Sequence, residues 1–367
     1  MTFATTTQEY ETWLKQRMPI DSGELDEKRQ LMQEDQHAFL RASFYRWARL
    51  WQRHCEKLDG PEVLGVGDIH VENFGTWRDA DGRLAWGVND FDEACPIPYT
   101  ADLVRLATSA LLAGSKWPSR KSTTTDGDIV DAILDGYHTG LDHPEAFVLA
   151  ERHEWLRHLV LAGFEVKGRG GKTRYERFVG QMLELPNAIR IPNEMVDILR
   201  DAFPKPTPPY CVGHRVAGLG SLGRPRFTAV AKDWYGGIIV REAKCLTSSA
   251  WIWANGGNTN GMINYNRIVK AARRSPDPTL QVRGNWVVRR LAPDVGKVEI
   301  QDLPIDTGVD LLHAMGKEIA NVHALDGSGL DAVLEDLRKR PADWLLDAAN
   351  EMLERTEKDW IELRKSS

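Results

Sequence analysis

The chain has 367 residues, more than one hydrophobic core usually organises, so we expect two lobes with a cleft between them. Its 42% apolar and 27% charged residues are typical of a folded protein, and a net charge of -6 gives no general attraction to nucleic acid or to an anionic membrane. The N-terminus lacks the basic start and apolar core of a signal peptide, which favours a cytoplasmic protein. Four scattered cysteines without C-x-x-C spacing indicate reduced thiols.

The pattern of apolar residues predicts helical, β and again helical segments along the chain. A helix or helix pair is expected over residues 26–58, helices over 100–202, and helices again from 306 to the end. Strands are predicted at 63–66, 75–77, 84–88, 211–217, 226–231, 237–243, 279–282 and 286–289. We predict an α+β protein in three parts: a helical lobe over 1–205, a small antiparallel β lobe over about 206–300, and C-terminal helices over 301–367 that complete the helical lobe.

Polar residues follow the first predicted strand in the stretch GDIHVENFG, residues 67–75. Asp68 and Asn73 have a D-x4-N spacing, and Asp90 and Asp92 follow a second hairpin strand. A loop aspartate that can accept a proton, a nearby amide oxygen and further carboxylates are the groups that phosphoryl transfer requires. Oxygen ligands of this kind suit Mg²⁺. The alternative for each residue is a turn-former that satisfies loop backbone groups.

The role of His70 and the class of enzyme each have an alternative interpretation. His70 orients the loop or positions a substrate, or else it supports the loop structurally. A metallophosphatase also begins with a strand followed by G-D-x-H, but the later GDxxD and GNH[DE] segments of such enzymes are missing here.

A second candidate site lies in VAGLGSLGRPRFTAVA, residues 216–231. Gly218, Gly220 and Gly223 form G-x-G-x-x-G, with Ser221 inside it, between two predicted strands, which is typical of a glycine-rich hairpin that approaches phosphates and not of a Rossmann turn. The next strand ends in the cations Arg241 and Lys244, of which one is expected to hold nucleotide phosphates, because residues three apart on a strand face opposite sides. The alternatives are ordinary turn glycines and exposed edge charge. GRGGKT at 168–173 lacks a Walker A spacing and is expected to be a solvated basic loop.

These segments resemble known families. GDIHVENFG followed by NDFDEACPIPYTADLVRLATS looks like the hallmark of the bacterial domain-of-unknown-function family 2252. The same segments resemble aminoglycoside phosphotransferases and other kinase-like enzymes, whose catalytic loop reads H-G-D-x-H-x-x-N. This resemblance implies Asp68 as catalytic base, Asn73 and Asp90 as metal ligands and Asp102 as a structural aspartate. We expect Asp92, two residues after Asp90, to assist in holding the metal.

The order of the segments differs from that of those kinases. The glycine-rich hairpin and its cation follow the catalytic loop here, and GKEIANVHAL, which resembles the helix that leads into that loop, lies near the C-terminus. A circular permutation of a kinase-like fold explains this order. The sequence also departs from the resemblance at Val66, where the phosphotransferases have histidine, and at Arg241, which aligns with their strand lysine.

The resemblance implies an ATP- and Mg²⁺-dependent phosphotransferase acting on a hydroxyl of a small molecule or a protein. A catalytically silent nucleotide-binding protein and an adenylyl transferase using the same cleft are the alternatives. The expected partners include neither nucleic acid nor a membrane.

Overall fold

The computed structural model describes residues 1–115, 124–165, 171–185, 190–259, 262–296, 298, 300, 303–324 and 329–365. The first three residues of the GRGGKT stretch, expected to be a basic loop, lie outside these ranges. The fold is mixed α and β, and every pair of strands is antiparallel.

The helices form the larger part of the molecule. Their bounds are α1 Phe3–Lys15, α2 Ser22–Glu34, α3 Gln36–Ala42, α4 Phe44–His54, α5 Tyr99–Gly114, α6 Asp126–Asp142, α7 Leu149–Arg152, α8 Glu154–Glu165, α9 Arg174–Leu183, α10 Asn193–Asp201, α11 Ala250–Ala254, α12 Tyr265–Ala271, α13 Ile305–His323, α14 Leu330–Lys339 and α15 Trp344–Lys365.

The strands of the described residues form three small sheets. Their bounds are β1 Glu62–Gly65, β2 Phe74–Arg78, β3 Leu84–Val88, β4 Cys95–Pro98, β5 Phe147–Val148, β6 Cys211–His214, β7 Arg226–Trp234, β8 Gly237–Cys245, β9 Gln281–Arg283 and β10 Trp286–Leu291. The largest sheet has the order β6-β7-β8-β10-β9, and the others pair β1 with β4 and β2-β3-β5.

Most predicted elements are present, with corrections at their ends. The expected helix or helix pair over 26–58 is three helices, because the Asp35 side chain accepts hydrogen bonds from two backbone amides of α3 and starts a new helix there. β6 ends at His214, three residues earlier than predicted, whereas β7 continues beyond its predicted end at 231 to Trp234. α1, β4, β5, α11 and α12 were not predicted, and the last two helices lie within the segment predicted as the β lobe.

Helix α5 passes through the centre of the helical part. All of its residues are buried, including the few that are polar or charged. Asp102 and Arg105 are therefore ionisable groups inside the core, and both side chains reach the loop after β1. The central helix thus fixes the position of the candidate site.

The four cysteines are free thiols. Among the described residues, we find no helix with the length and apolar character needed to span a bilayer.

Candidate functional site

Residues from distant parts of the chain surround one cavity of about 80 Å³. All predicted site residues except Gly223 and Arg241 line it, together with side chains that the sequence did not single out. The full lining is Arg41, Val66, Asp68, His70, Asn73, Asp90, Asp92, Glu93, Gly218, Leu219, Gly220, Ser221, Arg224 and Lys244.

Asp102 holds the backbone that precedes Asp68. Its two carboxylate oxygens accept hydrogen bonds from the Val66 and Gly67 amides at 2.7 and 2.9 Å. His323, at the end of α13, lies 3.0 Å from the same carboxylate through Nε2 and 2.9 Å from the Tyr137 hydroxyl through Nδ1. The loop therefore rests on a fully buried polar chain from three helices, which limits its movement.

Asp68 pairs with Arg105, whose side chain is wholly buried. The guanidinium donates to Asp68 Oδ1 through both Nε and Nη2, and Nη2 also donates to the Leu40 carbonyl at 3.0 Å. Phe44 and Trp47 stack near the guanidinium. Because the pair uses only Oδ1, the second oxygen of Asp68 remains available on the cavity side.

Asn73 connects the loop that contains Asp68 with the loop that contains Asp90 and Asp92, which we call the first and second acidic loops. Its Nδ2 donates to the backbone carbonyls of Asp68 and Asp90, each at 3.2 Å. This leaves its Oδ1 without a hydrogen bond to the described residues, as a metal ligand requires.

Asp90 and Asp92 share the ammonium group of Lys244. Lys244 Nζ lies 2.9 Å from Asp90 Oδ2 and also contacts Asp92 Oδ2. Burial favours the neutral form of Asp90, but Lys244 outweighs it and holds the pKa of Asp90 below its usual range. Burial and the neighbouring Asp90 charge raise the pKa of Asp92 to about 7. Lys244 therefore compensates two carboxylates that repel one another.

This pair fits a divalent cation. Asp92 Oδ1 is buried and accepts no hydrogen bond, so one carboxylate oxygen lacks the partner that a buried oxygen normally has. Two carboxylates with the Asn73 amide oxygen form an all-oxygen donor set of the kind that Mg²⁺ prefers. Within the described ranges, no group of three or more His, Cys, Asp or Glu residues is arranged as a metal site.

The glycine-rich loop lies directly over Asp68. A Cβ atom built on Gly220 would be in ordinary contact with Asp68 Oδ2 at 3.5 Å and in tight contact with the backbone carbonyl of Arg41 in α3 at 3.1 Å, so a side chain there would press on α3. Ser221 Oγ accepts a hydrogen bond from Arg226 at 2.7 Å. Arg226 in turn donates to Glu242, a fully buried carboxylate that also pairs with Arg215 and Arg289. The sheet therefore holds the loop from one side.

Helix α2 holds the loop from the other side. Glu24 accepts from the Gly223 amide at 2.9 Å and contacts His214, and Lys28 Nζ donates to the Gly220 carbonyl at 2.9 Å. Gly223 has a φ of 87° and packs against Leu25, which explains why glycine is required there. The described conformation is thus one in which the loop is closed on Asp68.

The remaining predicted residues have other surroundings. Arg241 points away from the cavity, because its Nε donates to the Ala202 carbonyl at 2.7 Å and its guanidinium lies over Phe203. His70 is buried at the cavity wall, with its ring edge-on to that of His37. Of the two cations on β8, Lys244 is the one brought to the carboxylates.

Sequence reasoning missed several side chains at the site. Arg105 had a visible signal, since it is the only charge in the apolar stretch 103–114. Glu93 directly follows the second acidic loop, and it accepts from Arg224 at 3.1 Å and from the Ala250 amide at 2.6 Å. Glu24 and Lys28 carried no signal, because their role depends on a contact with residues about 200 positions away.

Comparison with known proteins gives a match to one family model over part of the chain and indicates no activity. No curated protein and no solved structure matches the chain at a significant level. The expected resemblance to the bacterial family is confirmed for the part that contains both acidic loops and helix α5, whereas the glycine-rich loop lies outside the matched part. Residues 21–158 of this chain match the family described as an uncharacterized protein conserved in bacteria (DUF2252).

Proposed function

We propose that the protein is a Mg²⁺-dependent phosphotransferase that moves the γ-phosphate of ATP to a hydroxyl group of a small molecule. The observation that carries this proposal is the convergence of Asp68, Asn73, Asp90, Lys244 and the glycine-rich loop on one cavity. Asp90 and Lys244, which form an ion pair, are 154 positions apart in the sequence. These are the parts that kinase-type phosphoryl transfer requires: a base, two metal ligands, a strand cation and a loop over the phosphates.

Each side chain has a role in this proposal. Asp68 accepts the proton of the acceptor hydroxyl through its free Oδ2, while Arg105 holds the carboxylate in place through Oδ1. Asn73, Asp90 and Asp92 would hold Mg²⁺, which would neutralise charge on the phosphates. Lys244 then exchanges the carboxylates for the nucleotide phosphates, and Gly218, Gly220 and Ser221 cover them.

The proposed fold is kinase-like and circularly permuted. Its support is that the glycine-rich loop joins the first two strands of the five-stranded sheet and that Lys244 is on the third strand in chain order. The end of α13 also meets the start of the catalytic loop in space, through His323 and Asp102, although 221 positions separate them. In a kinase-like chain that is not permuted, the helix corresponding to α13 would lead directly into the loop that contains Asp68, and the same contact would be present.

Nucleotide binding requires the glycine-rich loop to lift. A cavity of about 80 Å³ is smaller than ligand pockets, which hold roughly 300–1,000 Å³. The contacts of the loop with α2 are few hydrogen bonds, which a bound triphosphate can replace.

The test uses the purified full chain with Mg²⁺ and ATP. We expect Mg-ATP, but not ATP with EDTA, to raise the melting temperature, and slow turnover to release ADP with water as acceptor. Asp68→Asn should lower ADP formation by about 10²–10⁴-fold and keep the thermal shift, because it removes the base but not the metal ligands. Asp90→Asn should lose the Mg²⁺-dependent shift. Asp81→Asn, an exposed aspartate in the β2–β3 turn, is the matched control and should behave as wild type.

The products separate this proposal from its alternatives. Release of AMP and pyrophosphate would indicate adenylyl transfer, and a thermal shift without turnover would indicate a silent nucleotide-binding protein. The proposed site is wrong if Asp68→Asn and Asp90→Asn match Asp81→Asn in both measurements.

A further inference from the structure

A second cavity, of about 290 Å³, lies between the N-terminal helices and the glycine-rich loop. Its walls are mainly apolar and aromatic, with Phe3, Leu14, Tyr45 and Leu222 among them. Gly220 and Arg224 line this cavity and the one that contains Asp68. The tip of the glycine-rich loop and Arg224 therefore lie between the two cavities.

Lys28 supplies a positive charge to the second cavity. Its Nζ donates to the Gly220 carbonyl, and no carboxylate among the described residues lies within 4 Å of it. A lysine ammonium has three donors, so two remain for a ligand. The side chain sits on α2 with its head group at the boundary between the two cavities.

The other charges on the walls are already balanced. Arg29 pairs with Glu11 at 2.7 Å and with Asp26, and Arg224 pairs with Glu93 and donates to the Tyr10 hydroxyl. Lys28 is thus the cation on the described walls that lacks an ionic partner. A half-buried ammonium in apolar surroundings favours an anionic group of a ligand.

Asp68 is close enough to influence this lysine. Burial and Arg224 lower the pKa of Lys28 to about 8, and the Asp68 charge acts in the opposite direction. Lys28 therefore remains largely protonated at neutral pH. Burial raises the pKa of Tyr10 on the cavity wall, and the Asp68 charge contributes to this increase. Gly220 lines both cavities, and a Cβ atom built on it would be 3.5 Å from Asp68 Oδ2. A molecule in the second cavity therefore lies across Gly220 from the carboxylate that we assign as the base.

We propose that the second cavity is the acceptor site, and that it takes a small aromatic molecule carrying one carboxylate and one hydroxyl group. The carboxylate binds Lys28, the ring packs among Phe3, Leu14 and Tyr45, and the hydroxyl points past Gly220 to Asp68. When the loop lifts for ATP, the hydrogen bond from Lys28 Nζ to the Gly220 carbonyl would break. The ligand carboxylate would then accept that hydrogen bond in place of the carbonyl. The assignment as acceptor site rests on the phosphotransferase function proposed above.

The transfer step is balanced without any further reactant. The hydroxyl oxygen forms a bond to the γ-phosphorus of ATP, and the bond from that phosphorus to the β–γ bridging oxygen breaks. ADP leaves with the electron pair, and the hydroxyl proton moves to Asp68 Oδ2. The products are ADP and the phosphate monoester.

The test compares 3-phenyllactate with its methyl ester, which lacks the charge, in a calorimetric titration of the full chain without nucleotide. We expect saturable binding of the acid and at least about tenfold weaker binding of the ester, since a hydrogen bond to a charged group contributes about 1.5–3 kcal/mol. Lys28→Met should remove the preference for the acid. Ala4→Trp, at the exposed rim of the cavity, should abolish binding of both by filling it, whereas Thr12→Trp, exposed on the same helix but away from the cavity, should bind as wild type.

The outcomes separate this inference from the proposed function. Binding of the acid by wild type and Thr12→Trp but not by Ala4→Trp supports the site, and stimulation of ADP release by 3-phenyllactate with a mass gain of one phosphoryl group supports its role as acceptor site. Absence of saturable binding, or an unchanged preference for the acid in Lys28→Met, overturns the inference even if ADP release persists. Binding without any Mg-ATP turnover would overturn the acceptor role and the proposed function, while the ligand site would stand.

Discussion

Glu318 is a buried carboxylate beneath the strand that leads to Asp90. It accepts hydrogen bonds from the Val88 amide and from Asn321 Nδ2, both at 3.2 Å. The strand can approach because residue 87 is glycine: a Cβ there would lie 2.2 Å from Glu318 Oε1. Burial raises the pKa of Glu318 to about 7, against the opposing charge of Arg274. Its ionisation therefore opposes folding at neutral pH.

The pH dependence of stability tests this single residue. In the unfolded chain Glu318 loses its proton near its ordinary pKa of 4.5, whereas in the folded chain it keeps the proton until about pH 7. Its contribution to stability is therefore complete below pH 4.5 and is lost as the pH rises through 7. We expect Glu318→Gln, which cannot ionise, to gain up to about 3 kcal/mol relative to wild type between pH 5 and pH 8.

Urea unfolding at a series of pH values measures this difference. Glu27→Gln, an exposed position on α2, is the control and should differ from wild type by a constant amount. A difference for Glu318→Gln that does not change with pH would contradict the raised pKa.

The site residues predictable from sequence were those with a local pattern. Asp68, Asn73, Asp90 and Asp92 follow strands at short, fixed spacings, and the structure brings them together. The choice between Arg241 and Lys244 could not be made from the sequence, because it depends on which face of β8 meets the acidic loops. Residues such as Glu24 and Glu242 act through contacts made only after folding.

Helices α6 and α13 cross with their backbones in direct contact. A Cβ on Gly136 would lie 2.0 Å from the His313 carbonyl oxygen, and a Cβ on Gly316 would lie 2.0 Å from the Ile133 carbonyl oxygen. In both cases the neighbour is backbone, which cannot move aside as a flexible side chain can. The crossing fixes α13, and so fixes His323 against Asp102.

Substitution of these glycines tests the crossing. We expect Gly316→Ala to lower the free energy of unfolding by about 1–3 kcal/mol or more, because overpacking forces the two helices apart. Gly163→Ala is the matched control: this glycine lies in α8 with no atom within 4 Å of the added methyl group, so alanine should stabilise the protein by up to about 1 kcal/mol. Thermal or urea unfolding should show a loss of stability for Gly316→Ala and a gain for Gly163→Ala. Equal effects at the two positions would disprove the close contact.

Helices and strands were predicted correctly where the spacing of apolar residues was clear. They were missed where the element is short or lies at the edge of a sheet. The strands of the hairpins β2–β3 and β7–β8 were predicted from the pattern of their apolar residues. β4 and β5, of four and two residues, exist because they pair with β1 and β3, and neither has a pattern of its own. Helix α1 was missed because its sequence is rich in threonine, which weakens helix propensity.

The two ends of the described chain are close together. The Phe3 amide donates to Glu362 Oε1 at 3.1 Å, so α1 and α15 meet at one point on the molecule. A short linker can therefore join residue 367 to residue 1. A new start in the Pro-rich stretch would then place the glycine-rich loop and α13 ahead of the catalytic loop.

A chain with new termini tests the proposed circular permutation. We expect a chain that begins at Thr207, continues through a Gly-Ser linker to Met1 and ends at Pro206 to melt within a few degrees of wild type and to keep its response to Mg-ATP, since chain openings in exposed segments are tolerated. The same linker with the opening between Gly220 and Ser221 is the control, and it should lose the Mg-ATP response. Loss of folding in the first chain would show that the connection at 206 is essential.

The ion pair between β8 and the second acidic loop also has a consequence for biosynthesis. Asp90 and Asp92 leave the ribosome about 150 residues before Lys244, which corresponds to roughly 8–30 s at ordinary rates of translation. During that interval the two neighbouring carboxylates have no Lys244 to balance them, and for most of it the glycine-rich loop has not been synthesised. A nascent chain interrupted before β8 therefore presents an acidic, incomplete loop, and the proposed activity can appear only after most of the protein has been made.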